Sequence, residues 1–213
     1  MPMPAQVIVT VDVVLLALKD GRLHVALMKR PQEPFKGVLA LPGGYVHAEE
    51  DADVGVAAYR VLRDKMRLHP PYLEQLGTYS GARRDPRGWS LSVCHLALVA
   101  ADAVADSHWF PTDSLPRIAF DHAKLIAAAV TRVRNKSSYS ALPGYLLPEL
   151  FTLSELQAIY SQLLGEPLEK SSFRRKLRDL DFLEEVPGAF QGGKQRPAQL
   201  YRLKGMAVFD RTI

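Results

Sequence analysis

A stretch from Ser137 to Leu150, carrying Ser137-Ser138, Pro143-Gly144 and Pro148, separates two lengths of sequence with different apolar patterning, and this break constrains the fold most. Upstream of it, β-branched and apolar runs alternate with turn signals. Gln6 to Leu18 is followed by Asp20-Gly21 and then Leu23 to Met28, which predicts two strands joined by a short turn. Pro31 to Pro34 breaks the pattern. Leu39-Ala40-Leu41 then runs into Pro42-Gly43-Gly44, a turn whose two glycines permit positive φ and close backbone approach. Ala58, Leu62 and Met66 are spaced along one face of a helix predicted over Ala57 to Met66. Leu91 to Val99 reads as a strand, and the alanine-rich Ile118 to Val133 as a second helix. Strands, a helix, a further strand and a closing helix indicate an α+β layered domain over residues 1–140. Ser137 to Leu150 is the expected connection, although Tyr139, Leu142, Tyr145, Leu146 and Leu147 argue that it packs.

Downstream, Thr152-Leu153-Ser154-Glu155 has the S/T-x-x-E form of a capping box, in which the threonine hydroxyl accepts from the glutamate amide and the glutamate reaches back. The helix it opens places Leu153, Leu156, Tyr160, Leu163 and Leu164 on one side and stops at Gly165. A second helix, predicted from near Ser171, buries Phe173, Leu177 and Leu180. Its opposite face carries Ser171, Arg175 and Arg178, flanked by Arg174. Leu183 to Val186 and Gln199 to Leu203 read as two short strands around a glycine-bearing basic tip, Pro187 to Ala198. Helix, turn, basic helix and hairpin, in that order, predict a winged helix-turn-helix over residues 150–213.

Charge separates the two parts as well. The formal charge is only +4, but residues 170–204 hold nine Lys/Arg against four Asp/Glu, a net +5 that leaves the remainder at −1. A basic block confined to one end predicts an anionic partner there, with a solvated basic face as the plain alternative. Double-stranded DNA fits the residue types: arginine engages base edges, serine and lysine serve phosphates, and arginine is favoured in a narrow minor groove. The expected DNA-binding residues are Lys170, Ser171, Ser172, Arg174, Arg175 and Arg178 on the helix, with Lys194 and Arg196 at the tip. A composition 47% hydrophobic and 23% charged is that of ordinary globular proteins. The apolar run around Val13 to Leu18 is too short to span a bilayer, so no membrane partner is expected. A single cysteine, Cys94, precludes an internal disulfide, and in its apolar strand it reads as a small buried residue. Met1-Pro2-Met3-Pro4 carries no signal-peptide pattern, so a cytoplasmic location is expected.

Phe151-Thr152-Leu153 through Leu156-Gln157, Phe173-Arg174-Arg175-Lys176-Leu177, and Gly192 to Ala198 running into Leu200-Tyr201-Arg202 resemble the C-terminal module of Nudix-related, NrtR-like transcriptional regulators. Arg83 to Ser90 is similar to the same family, which carries the likeness upstream. The resemblance implies a Nudix-like α/β/α sandwich with a C-terminal winged helix and, as for many such regulators, control of NAD-metabolism genes. Leu41-Pro42-Gly43-Gly44-Tyr45-Val46 with Glu50 resembles the opening of a Nudix box. The active form of that motif continues into a helix whose glutamates hold Mg²⁺, which neutralises a diphosphate and activates water. Here the next matching arginine, Arg60, comes two residues late. Val61, Asp64 and Lys65 stand at the glutamate positions, and Arg67 stands where glycine would be. One acid does not replace three, so no catalytic group, metal site or cofactor is expected. Glu49, Glu50, Asp51 and Asp53 leave weak metal binding and weak hydrolysis open.

Losing catalysis need not remove binding. The resembling regulators sense a nucleotide-sugar such as ADP-ribose, which implies a ligand-binding set of Arg30, Phe35, Gly43, Gly44, Tyr45, Arg60, Arg84 and Arg87. The arginines would pair with a diphosphate, the glycines permit close approach, and Phe35 or Tyr45 would stack on a base. Taken singly, each arginine also reads as a plain surface residue, and Asp85 as a turn former. His47 and His122 read as structural, with Phe120-Asp121-His122 capping the alanine-rich helix. The expected protein is a ligand-responsive repressor that forms a homodimer on a two-fold DNA operator and takes an ADP-ribose-like effector. A Nudix hydrolase of ADP-ribose-like diphosphates, or a sugar-responsive regulator of the same architecture, are the alternatives.

Overall fold

In the computed structural model, which describes residues 7–104, 108–192, 197–210 and 212–213, β1 (Ile8–Lys19) runs through the middle of the first sheet. Val11 to Ala17 are buried without interruption, the mark of a strand covered on both faces. β2 (Arg22–Ala26) follows through Asp20-Gly21, at φ 48° and 75°. Two left-handed residues are what a tight hairpin needs to match the strand twist. β6 (Tyr72–Gly81) and β8 (Trp109–Pro111) lie at the ends of the order β6-β7-β1-β2-β8, in which β7 (Ser90–Leu98) runs parallel to β1. β5 (Gly43–Tyr45) pairs antiparallel with β1, and β3 (Met28–Lys29) pairs with β4 (Leu39–Ala40) in a ladder of their own. Patterning does not predict β6 or β8: β6 is broken by a bulge between Gln75 and Gly77, and β8 is three residues long.

α1 (Val54–Met66) starts ahead of the expected Ala57 because Asp53 caps it, accepting from the Val56 amide at 2.9 Å. The helix buries Ala57, Ala58, Val61 and Leu62, and Val61 packs with Val11, Ala57 and Val93. Asp12, one residue along β1 from Val11, faces the other side of the sheet and meets His122, the first residue of α2 (His122–Ser137). α2 therefore begins at His122 and not at the expected Ile118. Helices at both faces of one mixed sheet make the α/β/α sandwich.

The two glycines of the Pro42-Gly43-Gly44 turn differ from expectation, since neither has a positive φ. Both lie in β5, with Gly43 opposite Asp12 and Gly44 opposite Val11. A Cβ on Gly43 would overlap the Asp12 carboxylate and lie 3.0 Å from the Val11 carbonyl oxygen, and one on Gly44 would lie 3.2 Å from Val61 Cγ2. Closeness of backbone to side chain, and not turn geometry, requires glycine here.

Two compact units divide the chain: Met1–Ala17, Leu23–Leu98 and Asp102–Val130 form one, and Leu18–Arg22, Val99–Ala101 and Thr131–Ile213 the other. The boundary falls inside α2, ahead of the expected 140–150, so the stretch 137–150 belongs to the second unit. Its Ala141, Leu142 and Leu146 are buried. Tyr160 Oη donates to the Ser140 carbonyl at 2.8 Å, and the Phe209 amide to the Tyr139 carbonyl at 2.7 Å. β9 (Phe151–Thr152) leads into α3 (Leu153–Leu164), whose capping box forms as predicted. The Glu155 amide donates to Thr152 Oγ1 at 3.2 Å, and the Thr152 amide to Glu155 Oε2 at 2.7 Å. Gly165, at φ 77°, ends α3. α4 (Lys170–Leu180) buries Phe173 and Leu177 against Leu156, Tyr160 and Phe182.

β10 (Leu183–Gln191) and β11 (Ala198–Leu203) form the hairpin, in the sheet order β10-β11-β9. β10 runs well past the expected end at Val186. The pairing shifts between Glu185 and Phe190, with Gly188 at φ 75°. The Gln199 side-chain amide closes this bulge by donating to the Val186 and Ala189 carbonyls at 2.7 and 3.1 Å.

Because Gly43 is pressed on Asp12 and β1, Gly43→Ala should lower the unfolding free energy in urea by about 1–3 kcal/mol, as overpacked sites do. Gly192→Ala, with nothing within 4 Å of its Cβ, should change it by less than about 0.5 kcal/mol. Equal effects would refute the close-approach account of Gly43.

Candidate functional site

The Asp12 carboxylate forms part of a cleft of about 470 Å³ in the first unit, whose lining includes Gly43, Gly44, Tyr45, Arg84, Phe120 and His122. Ser92 Oγ donates to Asp12 Oδ2 at 2.6 Å. His122 Nε2 stands 3.5 Å from Oδ1, and Arg84 Nη2 3.7 Å from Oδ2. The Leu41 amide donates to His122 Nδ1 at 3.0 Å, so Nδ1 is the acceptor and the ring proton sits on Nε2, toward Asp12. Burial on its own would raise the Asp12 pKa. His122, Ser92 and Arg84 together outweigh burial and hold it at about 2. His122 is thus structural, as expected, and Asp12, a lone acid inside an apolar run, is the group that patterning passed over.

Of the expected ligand-binding residues, Arg30, Gly43, Gly44, Tyr45, Arg84 and Arg87 line the cleft, while Phe35 and Arg60 do not. Arg60 is drawn away by Asp51: its Nε and Nη2 each lie 2.7 Å from a carboxylate oxygen, and Nη2 also donates to the Tyr45 carbonyl at 2.9 Å. Phe35 packs edge-on against Phe120 at 4.9 Å, and it is Phe120 that faces the cleft, under the Arg30 guanidinium at 4.6 Å. Arg84 pairs with Asp121 at 2.9 and 3.2 Å. Arg87 pairs with Asp85 at 2.6 and 3.0 Å, hydrogen-bonds Tyr45 Oη, and sits 5.4 Å over the exposed Tyr45 ring. Asp85 also accepts from the Arg87 amide at 3.0 Å, the turn expected of it.

Two cleft cations have carbonyl partners and, among the described residues, no carboxylate at ion-pair distance. Arg30 Nε donates to the Pro34 carbonyl at 2.7 Å, and Lys65 Nζ donates to the Gly43 carbonyl. Lys65 is exposed overall, yet desolvation of its ammonium, and then repulsion from Arg30, lowers its pKa. The sequence singled out Lys65 only as a missing acid. Its place in the cleft was legible from the motif register, because the same register that calls for a metal ligand calls for a group at this spot.

Of Glu49, Glu50, Asp51 and Asp53, the acids left open for metal binding, none lines the cleft and the last three have partners of their own, whereas Asp64 of the motif helix does line it. Asp51 is bound to Arg60, Asp53 caps α1, Glu50 stands 3.3 Å from His47 Nδ1, and Asp64 is paired with Arg63 at 2.8 Å. Among the described residues no group of three His, Cys, Asp or Glu side chains comes together. Cys94 is buried, and burial pushes its thiol well above the ordinary range.

In the second unit α4 exposes Lys170, Ser171, Arg174, Arg175 and Arg178, with Ser172 half-buried. Among the described residues no ion pair engages Arg174, Arg175 or Arg178. The Ser171 hydroxyl donates to the Glu169 carboxylate at 2.6 Å, and Glu169 accepts from the Ser171 and Ser172 amides. Those bonds hold Glu169 at about 2, the mark of an ionised N-cap. The basic block is also less uniform than its count, since Arg202 pairs with Glu184 at 2.9 Å and Lys204 with Asp181 at 2.5 Å. Lys194 and Arg196 lie outside the described residues.

Comparison with known proteins places these features together. A family model, the NrtR DNA-binding winged helix domain, matches residues 143–203. Over 204 residues the chain is 41% identical to the ADPR responsive transcriptional repressor NtrR of Acinetobacter baylyi, spanning 92% of this chain and 81% of that protein. The structure of Shewanella oneidensis NrtR complexed with a 27mer DNA is similar over 96% of this chain and 99% of that one, at a TM-score of 0.87 and 38% identity. The NUDIX domain of Shewanella oneidensis NrtR complexed with ADP ribose is similar over 60% of this chain and 88% of that one, at a TM-score of 0.55 and 37% identity.

The Asp12 pKa gives a signed pH dependence. A carboxylate held at about 2 when folded, against 3.8 in its ordinary state, contributes stability above about pH 4 that is lost as pH falls toward 2. The contribution is on the order of 2 kcal/mol. Urea unfolding of wild type and Asp12→Asn across that window should give a shallower acid slope for the variant. Parallel slopes would show that the network does not hold Asp12 ionised.

Proposed function

The chain belongs to the NrtR family of transcriptional repressors, and we propose that it is an ADP-ribose-responsive repressor, binding operator DNA through α4 and ADP-ribose in the cleft of its first unit. The observation that carries this reading is the likeness along nearly the whole chain to a DNA-bound repressor, with α4 presenting Arg174, Arg175 and Arg178, which no ion pair engages among the described residues. A helix that docks through Phe173 and Leu177 and turns arginines outward has the division of faces that major-groove recognition needs. Two such helices, one from each copy in a homodimer, would read a two-fold operator in the cytoplasm.

The cleft suits a diphosphate flanked by sugars and a base. Among the described residues Arg30 and Lys65 offer charge that no carboxylate meets in an ion pair, Gly43 keeps β5 flat on the sheet, and the exposed Tyr45 and the Phe120 ring offer aromatic surface. The ligand is bound and not turned over, since Val61, Asp64 and Lys65 supply one carboxylate where a hydrolase needs several. For ADP-ribose to act as an effector it must bind the DNA-free arrangement more tightly than the DNA-bound one, by an amount equal to the loss of DNA affinity it causes.

Three measurements test this reading. Arg175→Ala should cost on the order of 1–3 kcal/mol in affinity for a fragment from upstream of the chain's own gene or an NAD-metabolism gene, and relax sequence preference. Saturating ADP-ribose should weaken that binding roughly 5- to 150-fold, the usual range of allosteric coupling. AMP release from ADP-ribose in Mg²⁺ should stay below about 1 s⁻¹, an ordinary enzyme's slow limit. ADP-ribose that binds without moving DNA affinity would end the effector claim, a plain sugar that releases DNA would change the ligand class, and brisk turnover would make the chain an enzyme.

A further inference from the structure

A divalent ion is what a Nudix box uses to neutralise a diphosphate, and the side chains of this chain do not fit one. Of the three positions that carry the motif's helix glutamates, Val61 is buried at 2% exposure in the apolar layer between α1 and the sheet. Asp64 lines the cleft in an exposed pair with Arg63 at 2.8 Å, and it is one carboxylate where the motif has three. Lys65 brings a positive charge to the spot, and a cation does not ligate a cation. The acids nearby in sequence offer no substitute, because none of Glu49, Glu50, Asp51 and Asp53 lines the cleft, with Asp51 held by Arg60 and Asp53 by the start of α1.

Lys65 does more than remove a ligand. Its ammonium donates to the Gly43 carbonyl, on the strand pressed against Asp12 and β1, so the cation is anchored to the rigid edge of the cleft. An ammonium has three protons, and one directed at Gly43 leaves two for a ligand's oxygens. Arg30 and Arg87 line the same cleft. The Arg30 pKa is lowered by burial and then by Arg87, and that of Lys65 by burial and then by Arg30, with Asp12 offsetting part of the effect at both and Asp85 part of it at Arg30, so the cations repel one another across the cleft. An anion between them relieves both that repulsion and the desolvation.

We propose that the Lys65 ammonium takes the place of the divalent cation in this cleft, pairing with the diphosphate of the ligand so that the ligand is held without metal. The inference rests on the reading of the cleft as an ADP-ribose site and assigns the residue that makes the site self-sufficient. It also explains why one substitution suits a sensor: a built-in cation neutralises the diphosphate and activates no water.

Calorimetric titration of the full chain with ADP-ribose tests it, in EDTA and again in excess Mg²⁺. Wild type should bind equally in both. Lys65→Met should weaken ADP-ribose binding roughly 10- to 100-fold, the range for a charge-assisted hydrogen bond, while its far-UV circular dichroism reports an intact fold. Lys65→Arg should retain most of the affinity, and Lys65→Glu should bind only when Mg²⁺ is present. Wild-type binding that requires Mg²⁺, or undiminished binding by Lys65→Met, would overturn the proposal while leaving the ADP-ribose reading intact. Wild type that binds no ADP-ribose in either buffer would instead remove the ADP-ribose reading, and this inference with it.

Discussion

The first unit is organised around one buried carboxylate. Asp12 lies in the middle of an apolar strand, where an unpaired charge would cost several kcal/mol, roughly the whole margin of a small domain. It is tolerated because its partners arrive from separate parts of the chain: Ser92 from β7, Arg84 from the loop that follows β6, and His122 from the start of α2. His122 in turn holds the Leu41 amide, just before the glycine pair. Each partner needs the others, so the carboxylate aligns strand, loop and helix terminus, and the surface they leave between them is the cleft.

The same logic sorts the cations around that cleft. Arg84 and Arg87 are matched by Asp121 and Asp85, which holds their guanidinium groups in place before any ligand arrives. Arg30 and Lys65 rest on carbonyl oxygens, which orient a cation without cancelling its charge. Matched arginines give the cleft its shape, and Arg30 and Lys65, which no carboxylate meets in an ion pair among the described residues, suit it to an anion. The second unit repeats the division on α4, where Glu169 closes the helix N-terminus and the exposed arginines beyond it keep their charge.

Local devices were legible. The Asp20-Gly21 turn, the Thr152–Glu155 capping box, the Gly165 stop and the apolar stripe of α4 all appear where residue type and spacing put them, because each is decided within one turn or hairpin. Elements that depend on partners were not. β8 is three residues that become a strand only beside β2, and the residues of 137–150 look like a connection until Tyr160 and Phe209 supply their hydrogen-bond partners.

From the sequence alone came the two-part architecture, the basic helix, the glycine pair and the loss of acids from the motif helix, all of them properties of order and spacing along the chain. The tertiary structure decided which charged groups face the cleft. Nothing in spacing distinguishes Arg60, turned away by Asp51 nine residues earlier, from Arg30, which stays in the cleft over Phe120. Nor does spacing say that Lys65 meets the Gly43 carbonyl or that the Ser171 hydroxyl is taken by Glu169. Charge is carried by composition, but whether a charge is cancelled depends on which opposite group packing brings within hydrogen-bond distance, and only the folded chain sets that distance.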